Sequence, residues 1–359
     1  MRQASKGLAA GLVGFALFAV SALDAWAGPS SEFTLTGNIA DPGTYTAATL
    51  AALPQSNVSA TYTAAGTPVT DSYTGVSLWN LLTAAGGVVT NPAVKNDLLR
   101  NVVVATGTDG YTAVYALGEI APNFGNRPYT IATGDTGGQL GPSGPDGFAR
   151  VVAPGDVAGG RYVSNLSSLT VIKAPAVTVP AGGGASSRLT LSGNVATTRS
   201  YELSDLQALT PTTETATYTA SGTQVTDTYT GVSLWALLNA DGLLTNPAIK
   251  NDILRDFVVA TGSDGYQTVI SLGEIDPAFG DQQDLVAYAD TGGQLGADGA
   301  DGVARLVVPG DTAGGRYVSN LVSLEVIDAT AIPEPTTWML LAAVLTGLCL
   351  TRRTCHRAS

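Results

Sequence analysis

Apolar and hydroxyl-bearing side chains alternate at several places along the chain, most plainly in Phe33-Thr34-Leu35-Thr36 and in Leu189-Thr190-Leu191-Ser192. A period of two belongs to a half-buried strand. Residues 58–63, 101–105, 111–115, 149–152 and 169–172 are β-branched or aromatic runs bounded by Gly, Pro and Asp, which predicts strands there too. The period changes after Ser77, where Leu78, Leu81, Leu82 and Ala85 fall at i, i+3, i+4 and i+7 before Gly86. That pattern predicts a short helix capped by the serine hydroxyl, and Ser233 opens its twin. A second short helix is predicted over 49–53, with 203–209 as its counterpart. The resulting fold class is α+β, mostly β, with mixed sheet and short helices.

The pattern also repeats. Tyr73-Thr74-Gly75-Val76-Ser77-Leu78-Trp79 returns at 229–235, Thr90-Asn91-Pro92-Ala93 at 245–248, Asp109-Gly110-Tyr111 at 264–266, and Gly159-Gly160-Arg161-Tyr162-Val163-Ser164-Asn165 at 314–320. The offset falls from 156 to 155 residues, which one deletion near Gly86 or Gly87 explains. A period so long is that of a whole domain rather than of a solenoid repeat. The chain therefore reads as two tandem duplicated domains, at 28–173 and 188–328. Residues 174–187, rich in Pro, Ala, Gly and Ser, read as a flexible linker between them.

The two ends carry addresses. Arg2 and Lys6, an apolar run over 8–23 and Ala25-Trp26-Ala27 describe a signal peptide at 1–27 cleaved after Ala27; an N-terminal membrane anchor is the alternative. At the other end, Pro333-Glu334-Pro335 precedes an apolar stretch at 338–350 and then Arg352, Arg353 and Arg357. Thirteen helical residues reach only about 20 Å, short of a hydrocarbon core of ~30 Å, so the stretch is a marginal transmembrane helix. Its arginines belong on the cytoplasmic side. The triplet, the apolar segment and the basic end resemble the PEP-CTERM sorting signal, over 332–359. That resemblance implies an exosortase-type processing enzyme and the envelope, surface or matrix of a Gram-negative bacterium; an ordinary C-terminal anchor gives a similar address.

Charge and sulfur content narrow the chemistry. The chain has 17 basic and 29 acidic residues; without the two ends, which hold five basic and two acidic groups, 12 and 27 remain, a net of about −15. Such a surface disfavours nucleic acid, whose binding depends on Lys and Arg neutralising phosphates. Both cysteines (Cys349, Cys355) and the only histidine (His356) lie in the tail, and no Cys, His or Met occurs from Gly28 to Ile332. Disulfides, Cys/His zinc sites, haem ligand pairs and His-dependent triads or dyads are thereby excluded from the body. Carboxylate pairs, Ser-Lys or Tyr chemistry and all-oxygen metal sites stay open.

The Tyr-Thr-Gly-Val-Ser-Leu-Trp segment before a Leu-Leu helix, Asp109-Gly110-Tyr111, Gly118-Glu119-Ile120 and the closing Gly-Gly-Arg-Tyr-Val-Ser-Asn resemble the molybdopterin-binding domain of sulfite oxidases. About 140 residues of each copy fit. The resemblance implies a molybdopterin-type fold and an oxidoreductase ancestry, with molybdenum held by a cysteine thiolate. Neither copy has that cysteine, and Asp or Ser replaces a soft thiolate poorly. The expectation is therefore no working molybdenum centre, leaving a pterin held only by hydrogen bonds through Arg150, Arg161 and the loop backbones as the variant.

The candidate ligand-binding residues are Asp109, Tyr111, Arg150 and Arg161 with their counterparts Asp264, Tyr266, Arg305 and Arg316. Asp109 and Asp264 read as general bases or as hairpin-turn residues. Glu119 and Glu274 read as their acid/base partners or as helix-start carboxylates. Arg161 and Arg316 either clamp an anion or pair with Asp156 and Asp311. Asp146, Asp298 and Asp301 sit in glycine-rich loops that offer oxygen to Ca²⁺, without the EF-hand spacing. Trp79 and Trp235 read as core anchors. Export, duplication and missing catalytic residues favour a non-catalytic binding or structural protein that grips a surface polysaccharide or another surface protein. A molybdopterin-binding oxidoreductase and a carboxylate-dependent hydrolase are the alternatives.

Overall fold

The computed structural model describes residues 28–141, 143–176, 183–297 and 301–332. Ala27, Asp298, Pro333, Glu334, Pro335 and the apolar stretch at 338–350 lie outside these residues. Among the described residues no helix is long and apolar enough to cross a membrane.

In the first repeat the strands are β1 (Glu32–Gly37), β2 (Gly43–Thr46), β3 (Ser56–Ala64), β4 (Thr67–Ser77), β5 (Asn101–Gly107), β6 (Thr112–Ala116), β7 (Thr130–Asp135), β8 (Gly138–Gln139), β9 (Arg150–Val152) and β10 (Leu166–Lys173). They form two sheets. One runs β2-β1-β10-β5-β6, with β1 and β10 parallel and the other pairs antiparallel; the other runs β3-β4-β7-β8, with β9 on β7. The helices are α1 (Ala47–Ala51), α2 (Leu78–Ala84) and α3 (Leu117–Ile120). The second repeat has the same sheets from β11 (Leu189–Gly193), β12 (Arg199–Tyr201), β13 (Thr212–Ala220), β14 (Thr223–Ser233), β15 (Asp256–Gly262), β16 (Gln267–Ser271), β17 (Leu285–Asp290), β18 (Gly293–Gln294), β19 (Arg305–Val307) and β20 (Leu321–Asp328), with helices α4 (Leu203–Gln207), α5 (Leu234–Ala240) and α6 (Leu272–Ile275). The fold is α+β and mostly β, as the alternation predicts.

Local chemistry accounts for the elements. Ser77 Oγ accepts from Asn80 N at 3.1 Å and starts α2, whose Leu78, Leu81 and Leu82 are buried. The β3–β4 hairpin is longer than the predicted 58–63 strand. Its turn places Ala65 at φ 48° and Gly66 at φ 80°, the left-handed pair that a two-residue hairpin needs. The threonines on its open side face each other across the strands, with Thr61 and Thr70 hydroxyls 2.9 Å apart and Thr215 and Thr228 likewise in β13–β14. This explains their abundance as solvent-side ladder pairs. Trp79 and Trp235 pack against their own cores.

The central sheets are not left facing water. β5 and β15 are buried on both faces, because the outer sides of the two five-stranded sheets meet across the chain. Val102, Val104, Val114 and Ile172 pack there with Phe257, Val259 and Val269 in one apolar layer. Sheets that bury a common face in this way behave as one core. The backbone crosses as well: Val157 N donates to Phe279 O at 2.7 Å, and Thr312 N to Phe124 O at 3.0 Å. Each contact has its reciprocal 155 residues away, the signature of an isologous, twofold-like interface.

Close approach fixes several glycines. A Cβ on Gly273 would lie 2.6 Å from Arg161 Cδ and 2.9 Å from Leu254 Cδ2, and one on Gly315 would lie 2.3 Å from Phe124 Cε1. Gly315→Ala is expected to lower stability by about 1–3 kcal/mol in denaturant unfolding, through overpacking between the repeats. Gly141→Ala, where the added carbon meets nothing within 4 Å, is the control and should be silent.

Candidate functional site

Two regions gather polar side chains: a buried network between the repeats and an open groove beside it. In the network, Arg161 Nε and Nη2 bond Asp156 Oδ2 and Oδ1 at 2.8 and 2.6 Å, and Nη1 reaches Glu119 Oε1. Arg161 Nη2 also donates to Tyr129 Oη at 2.6 Å, and Tyr129 donates to Glu119. Ser271 of the second repeat donates to Glu119 Oε2 at 3.3 Å. Arg316 repeats the fork with Asp311 and Glu274. Both arginines are 1–2% exposed; their ion pairs lie within their own repeats, their stems pack against Gly273 and Gly118 of the other, and neither lines the groove. Of the two readings of Arg161 and Arg316, the geometry selects the ion pair.

Within the network the copies differ at two positions, and Ser271 stands where the first repeat has Ala116. Asp284 stands where the first repeat has Tyr129. Its two carboxylate oxygens and Glu274 Oε2 are buried without a hydrogen-bond partner among the described residues. Burial first, then the neighbouring Glu274 charge, hold the Asp284 carboxyl well above its usual range, against the opposing pull of Arg316; Asp311 and Glu119 also face it. Glu274 is pushed up to about 7 by burial, with Arg316 opposing and Glu119 and Asp311 adding to the rise. Asp256 is raised to about 7 by burial as well, against its bond from Asn194.

The groove, of about 1040 Å³, is bounded by both repeats. The second repeat contributes the β13–β14 turn, the 312–317 loop, Asp264, Tyr266 and Arg305; the first contributes Lys95, Asn96 and Phe124. Asn96, at φ 52°, donates through Nδ2 to Tyr266 Oη at 2.8 Å, and Tyr266 donates to Gly315 O at 2.5 Å. The Lys95 ammonium lies 5.7 Å from the Tyr266 ring centre and makes no ion pair among the described residues. Arg305 bonds Asp301 at 3.0 Å and lies over the rings of Tyr229 and Tyr317. Its Nε and the Tyr317 hydroxyl are buried without partners among the described residues. An unsatisfied donor costs ~1–3 kcal/mol, so two in one wall mark a place for an acceptor.

The predicted site residues thus fall into distinct groups. Asp264, Tyr266 and Arg305 line the groove. Asp109 and Asp264 also hold their own turns, each accepting from the Tyr backbone N–H two residues on at 2.9 Å, so they are tied to the hairpin and their Glu neighbours to arginine. Asp146 and Asp301 bind Arg150 and Arg305. Among the described residues no cluster of three or more His, Cys, Asp or Glu could hold a metal ion. Sequence reasoning missed Lys95 and Asn96. The Lys-Asn-Asp triplet at 95–97 that returns at 250–252 was the signal available.

Sheets and short helices together define an α+β, mostly β fold built twice in one chain. The family described as oxidoreductase molybdopterin binding domain matches residues 176–336. Among solved structures, the sulfane dehydrogenase SoxCD from Paracoccus pantotrophus aligns over 66% of this chain at 15% identity, with a TM-score of 0.32; the chain spans 58% of that protein. No curated protein matches. The family match overturns the expectation of a non-catalytic binding or structural protein. That expectation equated a missing thiolate with a missing redox role. The match also points to a molybdopterin-type cofactor where none was expected.

The raised carboxyls predict the pH dependence of folding. A carboxyl whose pKa rises on folding contributes stability that is complete below its unfolded value, near 4.5 for Glu274, and is lost as pH passes through about 7. Chemical unfolding of the wild type should therefore show stability falling between pH 5 and 8.5. Asp284→Asn should flatten that fall and gain ~1–3 kcal/mol at pH 8.5. Equal slopes for the two proteins would refute the assignment.

Proposed function

We propose that this protein is a molybdopterin-binding oxidoreductase-like protein whose second repeat holds a pterin-type cofactor in the inter-repeat groove. The observation that carries the reading is the pair of buried, unpartnered donors, Arg305 Nε and Tyr317 Oη, in the repeat that the family matches. With the free Lys95 ammonium they suit an anionic, acceptor-rich group such as the phosphate of the pterin.

The metal end fits less well. The turn at Ala220 and Ser221 offers the groove no sulfur, and no cysteine occurs between Gly28 and Ile332. A molybdenum–thiolate bond to the protein is not available there. A bound pterin cofactor would supply the redox chemistry. The chain's own groups bind and orient: Arg305 and Tyr317 donate, Lys95 neutralises charge, and Tyr266, fixed by Asn96 and Gly315, holds the rim. The reading extends to location: an exported protein, processed at its tail by an exosortase-type enzyme.

Mature protein purified from its native host tests this directly. Acid oxidation should release a fluorescent pterin from the wild type, and Arg305→Gln combined with Tyr317→Phe should retain about tenfold less. Wild-type protein that yields no pterin above the buffer blank would sink the proposal.

A further inference from the structure

The family match lies on the second repeat, yet the polar groups of its groove recur in the first with the roles of the repeats exchanged. Asn251, at φ 52°, donates to Tyr111 Oη at 2.8 Å, and Tyr111 donates to Gly160 O at 2.5 Å. The Lys250 ammonium lies 5.7 Å from the Tyr111 ring centre, the same distance as Lys95 from Tyr266. Arg150 bonds Asp146 at 2.9 Å and lies over the rings of Tyr73 and Tyr162. Most telling, Arg150 Nε and Tyr162 Oη are buried and unpartnered among the described residues, the same two atoms as in the second repeat. One orphaned pair is a local misfit; the same pair twice, at equivalent positions, is a feature of the design.

We propose that the first repeat carries a second anion-binding site, formed by Arg150, Tyr162 and Tyr111 and completed by Lys250 from the other half of the chain. It rests on the reading of the second-repeat groove as a site for an anionic, phosphate-bearing ligand. The two sites then exchange lysines: each repeat supplies the cation that closes its neighbour's site, so neither is complete in a single repeat. They are unequal. Val157, 49% exposed, stands where Thr312 lines the second groove, and Ala65 stands where Ser221 does. The first site thereby lacks the Ser221 hydroxyl, that of Thr312 being already given to Phe124 O at 3.2 Å, and binds the same anion more weakly.

Titration calorimetry of the mature full chain with inorganic pyrophosphate tests this. The wild type should bind two equivalents of unequal affinity. Lys250→Gln should weaken the weaker one about tenfold and spare the stronger, while Lys95→Gln does the reverse. Both lysines are exposed, so either variant should fold. A single equivalent, sensitive to Lys95 and indifferent to Lys250, would overturn the second site and leave the first reading standing. Two equivalents indifferent to both lysines would also overturn it. No binding at all would remove the groove reading together with this one.

Discussion

Two guanidinium groups buried between the halves of the chain set the terms for everything else. Arg161 and Arg316 each bring a full charge out of water, and such a transfer is tolerated only where carboxylates and hydroxyls meet the guanidinium closely. Asp156 with Glu119, and Asp311 with Glu274, do so. Removing one partner from such a pair typically costs ~3–5 kcal/mol, because the other is left charged in an apolar place. The short loops at Gly159–Arg161 and Gly314–Arg316 are therefore fixed from below. Gly160 O and Gly315 O, which receive the rim tyrosines, belong to those loops, so the buried network and the groove share a backbone.

Much of the fold was readable in the sequence. The alternation at 33–36 and 189–192 gave strands because one face of each is wet, and Ser77 with its leucines gave α2 because cap and period agree. The domain-length offset showed the duplication. What the pattern concealed was the joint between copies. Val102-Val103-Val104 reads as a strand whether one face is covered or both, and a continuous apolar run in an antiparallel sheet signals a second layer. The counterpart run in β15, Phe257-Val258-Val259, supplies that layer through Phe257 and Val259.

The site was legible in part. Asp264 and Tyr266 flank a glycine in a turn, where ligands are met, and Arg305 offers a guanidinium fork suited to phosphate. For Arg161 and Arg316 the sequence leaves two roles open, because it shows that an arginine follows two glycines but not which acids reach it. Lys95 and Asn96 went unnoticed because they serve the other repeat, and no spacing within one copy reveals a partner 170 residues away. The missing cysteine was the clearest sequence signal and the one most easily overread: it speaks to a metal ligand and leaves hydrogen-bonded recognition of an organic group untouched.

The difference between Tyr129 and its counterpart Asp284 shows what joining two like halves in one polypeptide permits. In a homodimer, every substitution arrives twice. Joined in tandem, one half can keep the phenol that satisfies its guanidinium while the other drifts to a carboxyl. Symmetry then survives as architecture but no longer binds as a rule, and the halves are free to specialise.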